Sequence, residues 1–176
     1  MVIFEDFEGR FRRHLPKSDD LTLIVLKGHL LIEEMINRFI TSLLANPDAL
    51  AAGRLTFHQR VRLLQALLPR SSAVDKTFHA VEKLNTLRNR FAHDLEPAQV
   101  ECQIEAFVRQ ILSFRPPLDD PEIPDTEYQR EPVASRLKHA ISYLGGRLHG
   151  LHCVYVEAHP ARKGNDLSPP GLLKRR

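Results

Sequence analysis

The chain has 176 residues, 43% hydrophobic and 27% charged, with a formal net charge of +3 and a pI near 9. That length and balance suit one soluble domain with a sizeable core plus some additional chain. Two cysteines, Cys102 and Cys153, exclude a disulfide framework. The longest apolar runs are interrupted by Lys27, Glu33 and Glu34, which excludes a membrane span.

The first element is a short amphipathic helix over 3–13, in which Ile3, Phe4, Phe7 and Phe11 recur at helical spacing until Pro16. The mixed acids and aromatics of this N-terminus lack the apolar stretch of a signal peptide, so reduced thiols and a cytoplasmic setting are expected. Asp19 or Asp20 can cap a long helix running to about Ala45, stopped by Asn46-Pro47. Thr56 can cap a helix from Phe57 to Leu68, closed by Pro69. Ser71 or Ser72 can start a fourth helix, which Pro97 forces to end near Asp94 to Glu96. A fifth runs from about Ala98 to Phe114, before Pro116-Pro117.

Residues 1–115 therefore read as an all-α bundle of four to five helices with short connections. Residues 116–131 hold six acids and four prolines and read as an acidic linker. Residues 132–176 read as a basic C-terminal extension, with eight Lys/Arg against Glu157 and Asp166. Within it, Val133–Leu144 looks helical and is expected to end at Gly145-Gly146. Residues 151–157 are compatible with a short strand, and the final 18 residues with disorder. His149, His152 and Cys153 form a cluster without an evident fourth ligand, so no metal and no cofactor are expected. Cys102 is expected on a core face.

The polar residues inside the helices carry the functional signal. An α-helix turns about 100° per residue, so on the fourth helix Val81, Leu84, Leu87 and Phe91 share an apolar stripe about 120° wide. Arg88 falls inside that stripe. Asn85, Asn89 and His93 line one edge at i, i+4, i+8, so Asn89 can reach the His93 ring. On the long helix, Lys27, Glu34, Arg38 and Thr41 share a polar face, whereas His29 and Glu33 fall among Leu26, Ile36, Ile40 and Leu44. A buried carboxylate needs a partner, and pairing of Glu33 with Arg88 is expected. Spacing leaves two meanings open: a buried ion pair that only sets helix register, with His93 a helix-end cation, or a catalytic group.

Arg88-Asn89-Arg90-Phe91-Ala92-His93 follows the pattern Arg, four residues, His, with a polar residue after the Arg. This resembles the signature of HEPN (higher eukaryote and prokaryote nucleotide-binding) domains. The stretch KGHLLIEEMINRFI also resembles small bacterial HEPN-like proteins, including relatives of the mannitol operon repressor. The resemblance covers about residues 15–115. It implies a HEPN-like helical bundle that homodimerises with two motifs in one cleft, and RNA as substrate. It implies a metal-independent endoribonuclease of toxin or phage-defence type that leaves 2′,3′-cyclic phosphate ends. Arg88 and His93 would then be the catalytic pair with Asn89 in support, Glu33 and His29 would be supporting residues, and Arg90 a contact to the RNA backbone. Family members without activity imply an alternative: a non-catalytic regulator or protein-interaction module. An antitoxin or immunity protein, using the acidic linker against a partner, is a third reading.

Overall fold

The computed structural model describes residues 7–51, 53–94, 99–114 and 130–157. The expected first turn at 3–6, the acidic linker over 116–129 and the C-terminal tail from 158 lie outside them. Among the described residues the fold is all-α. The helices are α1 (Phe7–His14), α2 (Leu21–Leu43), α3 (Pro47–Ala51), α4 (Phe57–Leu67), α5 (Ser72–His93), α6 (Val100–Leu112) and α7 (Val133–Glu157).

Three helix starts rest on the side chains that local chemistry favours. Asp20 accepts a hydrogen bond from the Leu23 amide at 3.0 Å and opens α2. Thr56 and Gln59 form a reciprocal capping box on α4: the Gln59 amide donates to Thr56 Oγ1, and the Thr56 amide donates to Gln59 Oε1. Ser71 Oγ accepts from the Val74 amide and opens α5. Each bond satisfies an amide that the first helical turn leaves without an intrahelical partner.

α2 is the hub, packed on α7, α5 and α4. Its Ile24, Ile32, Ile36 and Ile40 join Phe78, Val81 and Leu84 of α5, Ile104 of α6, and Leu137, Ile141 and Leu144 of α7 in one core. The C-terminal helix is thus built into the bundle rather than appended to it. It also runs straight through Gly145-Gly146 as one 25-residue helix, which corrects both the expected stop there and the short strand over 151–157. Gly145 is buried where the rings of α1 press closest: a Cβ there would stand 2.5 Å from Phe11 Cζ and 2.6 Å from Phe7 Cε2. These glycines serve packing, not termination.

Gly28 plays the same part between α2 and α7, where a Cβ would lie 2.6 Å from Ile141 Cδ1. Farther along, Phe39 meets His152 edge-on at 5.1 Å. Ile141 and His152 follow Gly28 and Phe39 by the same 113 positions, so α2 and α7 lie parallel. Cys102 is exposed, contrary to its expected place on a core face. The buried stripe of α6 is Ile104, Phe107, Val108 and Ile111, and Cys102 points to the opposite side.

Candidate functional site

His29 of α2 is 4% exposed and sits where α2, α4 and α5 meet. Its Nε2 lies 3.1 Å from Asn85 Oδ1 of α5, which assigns the ring proton to Nε2 as the donor. Phe57, the first residue of α4, packs its ring 4.4 Å from the imidazole. Burial lowers the proton affinity of His29. Glu33 and the Asn85 hydrogen bond oppose that shift, while the Arg88 charge adds to it. His29 is therefore a neutral ring at physiological pH, wedged between helices.

Glu33, one turn along α2, places Oε2 3.9 Å from His29 Nδ1 and Oε1 3.5 Å from an Arg60 nitrogen. Arg60 also donates to Asn37 Oδ1 at 2.8 Å. Glu33 thus takes its arginine from α4, not from α5, and the expected Glu33–Arg88 pair does not form. The periodicity of α2 and α5 is blind to a third helix. Phe57 and Arg60, three residues apart on α4, both reach α2, and the capping box at Thr56 that sets their phase was the available signal.

Arg88 is half-buried at the edge of the α5 stripe and donates to Asn89 Oδ1 at 3.2 Å. Asn89 is therefore committed to Arg88 rather than to the His93 ring. Asn89, Arg90 and His93 are exposed, with His93 the last residue of α5. Val81, Leu84 and Leu87 are buried as the stripe required, and Phe91 partly so. The structure thus groups His29, Glu33, Asn85, Asn37 and Arg60 in one polar junction, with Arg88 close enough to act on His29 electrostatically. His93 stands apart, on the solvent-facing end of the same helix.

His149 and His152 of α7 diverge. His149 stacks on Phe7 and lies 3.7 Å from Cys153 Sγ, while His152 turns to Phe39. Among the described residues no group of three or more His, Cys, Asp or Glu is placed to hold a metal ion. No helix among them is long and apolar enough to cross a membrane. No family model, curated protein or solved structure matches the chain.

Proposed function

We propose that the chain is a metal-independent endoribonuclease of the HEPN kind, in which two copies each contribute Arg88 and His93. The observation that carries this reading is the partner of Arg88. Its side chain is hydrogen-bonded to the neutral amide of Asn89, while Glu33, the carboxylate able to cancel its charge, is engaged by Arg60. A guanidinium held in place without being neutralised keeps charge and donors for a phosphate.

The chemistry follows from the RNA itself. One imidazole accepts the proton of the 2′-hydroxyl, whose oxygen attacks the adjacent phosphorus. The bond from phosphorus to the 5′-oxygen breaks, and that oxygen takes a proton from the His93 of the second copy, leaving a 2′,3′-cyclic phosphate and a 5′-hydroxyl. Arg88 stabilises the charge that gathers on the phosphorane oxygens. His29 and Asn85 brace the junction beneath Arg88, and exposed Arg90 is a backbone contact.

The test is RNA cleavage in EDTA by wild type, Arg88→Ala and His93→Ala, with product ends identified. Wild type is expected to leave cyclic-phosphate ends. Each variant is expected to lose on the order of 10²- to 10⁴-fold in rate while keeping its helical circular dichroism. An inert wild type, or variants that cut as fast, would remove the catalytic reading and leave the motif as a docking element of a regulator.

A further inference from the structure

From Leu21 to Ile32, α2 carries only three polar side chains: Thr22, Lys27 and His29. A helix that is apolar on all sides is normally covered on all sides. α4, α5 and α7 cover most of it, yet Leu23 remains 39% and Leu30 61% exposed. Of the three large hydrophobic residues exposed among those described, these two stand seven positions apart on one ridge; Val154 of α7 is the third. Lys27 is exposed between them and makes no ion pair among the described residues. Glu34, seven residues after Lys27, lies within about 20° of it around the helix.

We infer that this ridge is the contact surface for a second copy of the chain, with α2 packed antiparallel on α2 about a two-fold axis at Leu30. In such a pair, residues on the same flank and equally far from the axis face one another. Lys27 precedes Leu30 by three positions and Glu34 follows it by four, so Lys27 of each copy meets Glu34 of the other, twice per dimer. Leu30 packs on its own mate at the centre, where a buried apolar anchor contributes most. Glu34 gathers Arg10 and Arg38 within its own chain, and its side chain stays 36% exposed, within reach of a third cation. The self-match of charge and apolar centre selects a second copy over an unrelated partner. His29 lies on the flank away from Lys27, so the symmetry sets both polar junctions on one side of the dimer. This inference deepens the ribonuclease proposal and rests on it only for the requirement that two copies meet.

The test is sedimentation velocity over a concentration series, with circular dichroism as the check on folding. Wild type is expected to dimerise. Leu30→Asp, at a solvent-facing position, is expected to weaken the dimer on the order of 100-fold or more. Lys27→Glu and Glu34→Lys, each placing like charges opposite one another, are expected to weaken it about 10-fold. An equimolar mixture of those two variants is expected to regain the dimer, because each chain supplies the charge the other has lost. A monomeric wild type, a dimer indifferent to Leu30→Asp, or a mixture no more associated than its components would overturn the interface. RNA cleavage is scored separately. A dimer that cleaves but ignores the α2 variants refutes the α2 contact alone, and a monomer that cleaves refutes both the contact and the two-copy mechanism. A dimer with the expected variant pattern that cleaves nothing supports the contact and refutes the ribonuclease.

Discussion

Replacing Gly28 with alanine tests the seating of α7 on α2. Glycine inside a helix is normally a liability, and alanine at an open position gains about 1 kcal/mol. Gly150 of α7 is such a position, exposed and with nothing within 4 Å of an added Cβ. Gly150→Ala should therefore stabilise the protein by about 1 kcal/mol. At Gly28 the added methyl meets Ile141 at 2.6 Å from Cδ1 and 2.9 Å from Cγ2, and that side chain is 0% exposed. Ile141 is branched at Cβ and has few rotamers to retreat into. Overpacking of this kind costs about 1–3 kcal/mol. After the helix-propensity gain, Gly28→Ala is expected to be neutral to about 2 kcal/mol destabilising, so the two variants should differ by about 1–3 kcal/mol. Urea unfolding followed by far-ultraviolet circular dichroism measures both. If Gly28→Ala stabilises as much as Gly150→Ala, the close helix crossing at Ile141 does not exist, and the reasoning that places α7 in the core fails with it.

Two further outcomes are expected. His152 is 8% exposed against Phe39, and burial, with His149 nearby, lowers its pKa to about 4. The unfolded chain takes up that proton near pH 6.5 and the folded one only near 4. This contribution to stability is therefore intact above about 6.5 and is lost as pH falls through that window, by at most about 3 kcal/mol. His152→Leu should flatten the acid side of the stability profile, and an unchanged slope would contradict the assignment. On α5, Lys76, Lys83 and Arg90 follow one another at seven-residue intervals on the solvent side, leading toward His93. Between Arg54 and His93 the chain carries eight Lys/Arg against two acids. Reversing Lys83 and Arg90 to Glu should weaken RNA binding and lower its salt slope by about 0.7 for each phosphate that is no longer neutralised, read by titration at several ionic strengths. An unaltered slope would place the RNA elsewhere.

What was legible in the sequence was mostly local. Asp20, Thr56 and Ser71 announce their helices because a capping side chain bonds an amide two or three residues away. The α5 stripe was legible because helical period alone decides which side of a helix is apolar. Sequence and structure part where a distant neighbour decides the outcome. Gly145-Gly146 reads as a stop until Phe7 and Phe11, more than 130 positions earlier, are found pressed against it. Arg60 claimed Glu33 from a helix whose orientation no single-helix pattern conveys. The junction at His29 was half visible: two polar residues on an apolar side signalled something buried, but Asn85 and Phe57 as its neighbours had to be seen in three dimensions.

The parallel seating of α7 on α2 also shapes how the protein comes into being. Each of these two contacts joins residues 113 positions apart, a long reach for a helical bundle, whose contacts are usually local and whose folding is correspondingly fast. During synthesis at about 5–20 residues per second, Gly28 emerges about 6–23 s before the isoleucine that will cover it. For that interval α2, the most apolar of the described helices, is without its main covering. The nascent protein is thus most vulnerable to misassociation through the helix around which the finished bundle is organised, and closure of the core waits for α7, the last of the described helices.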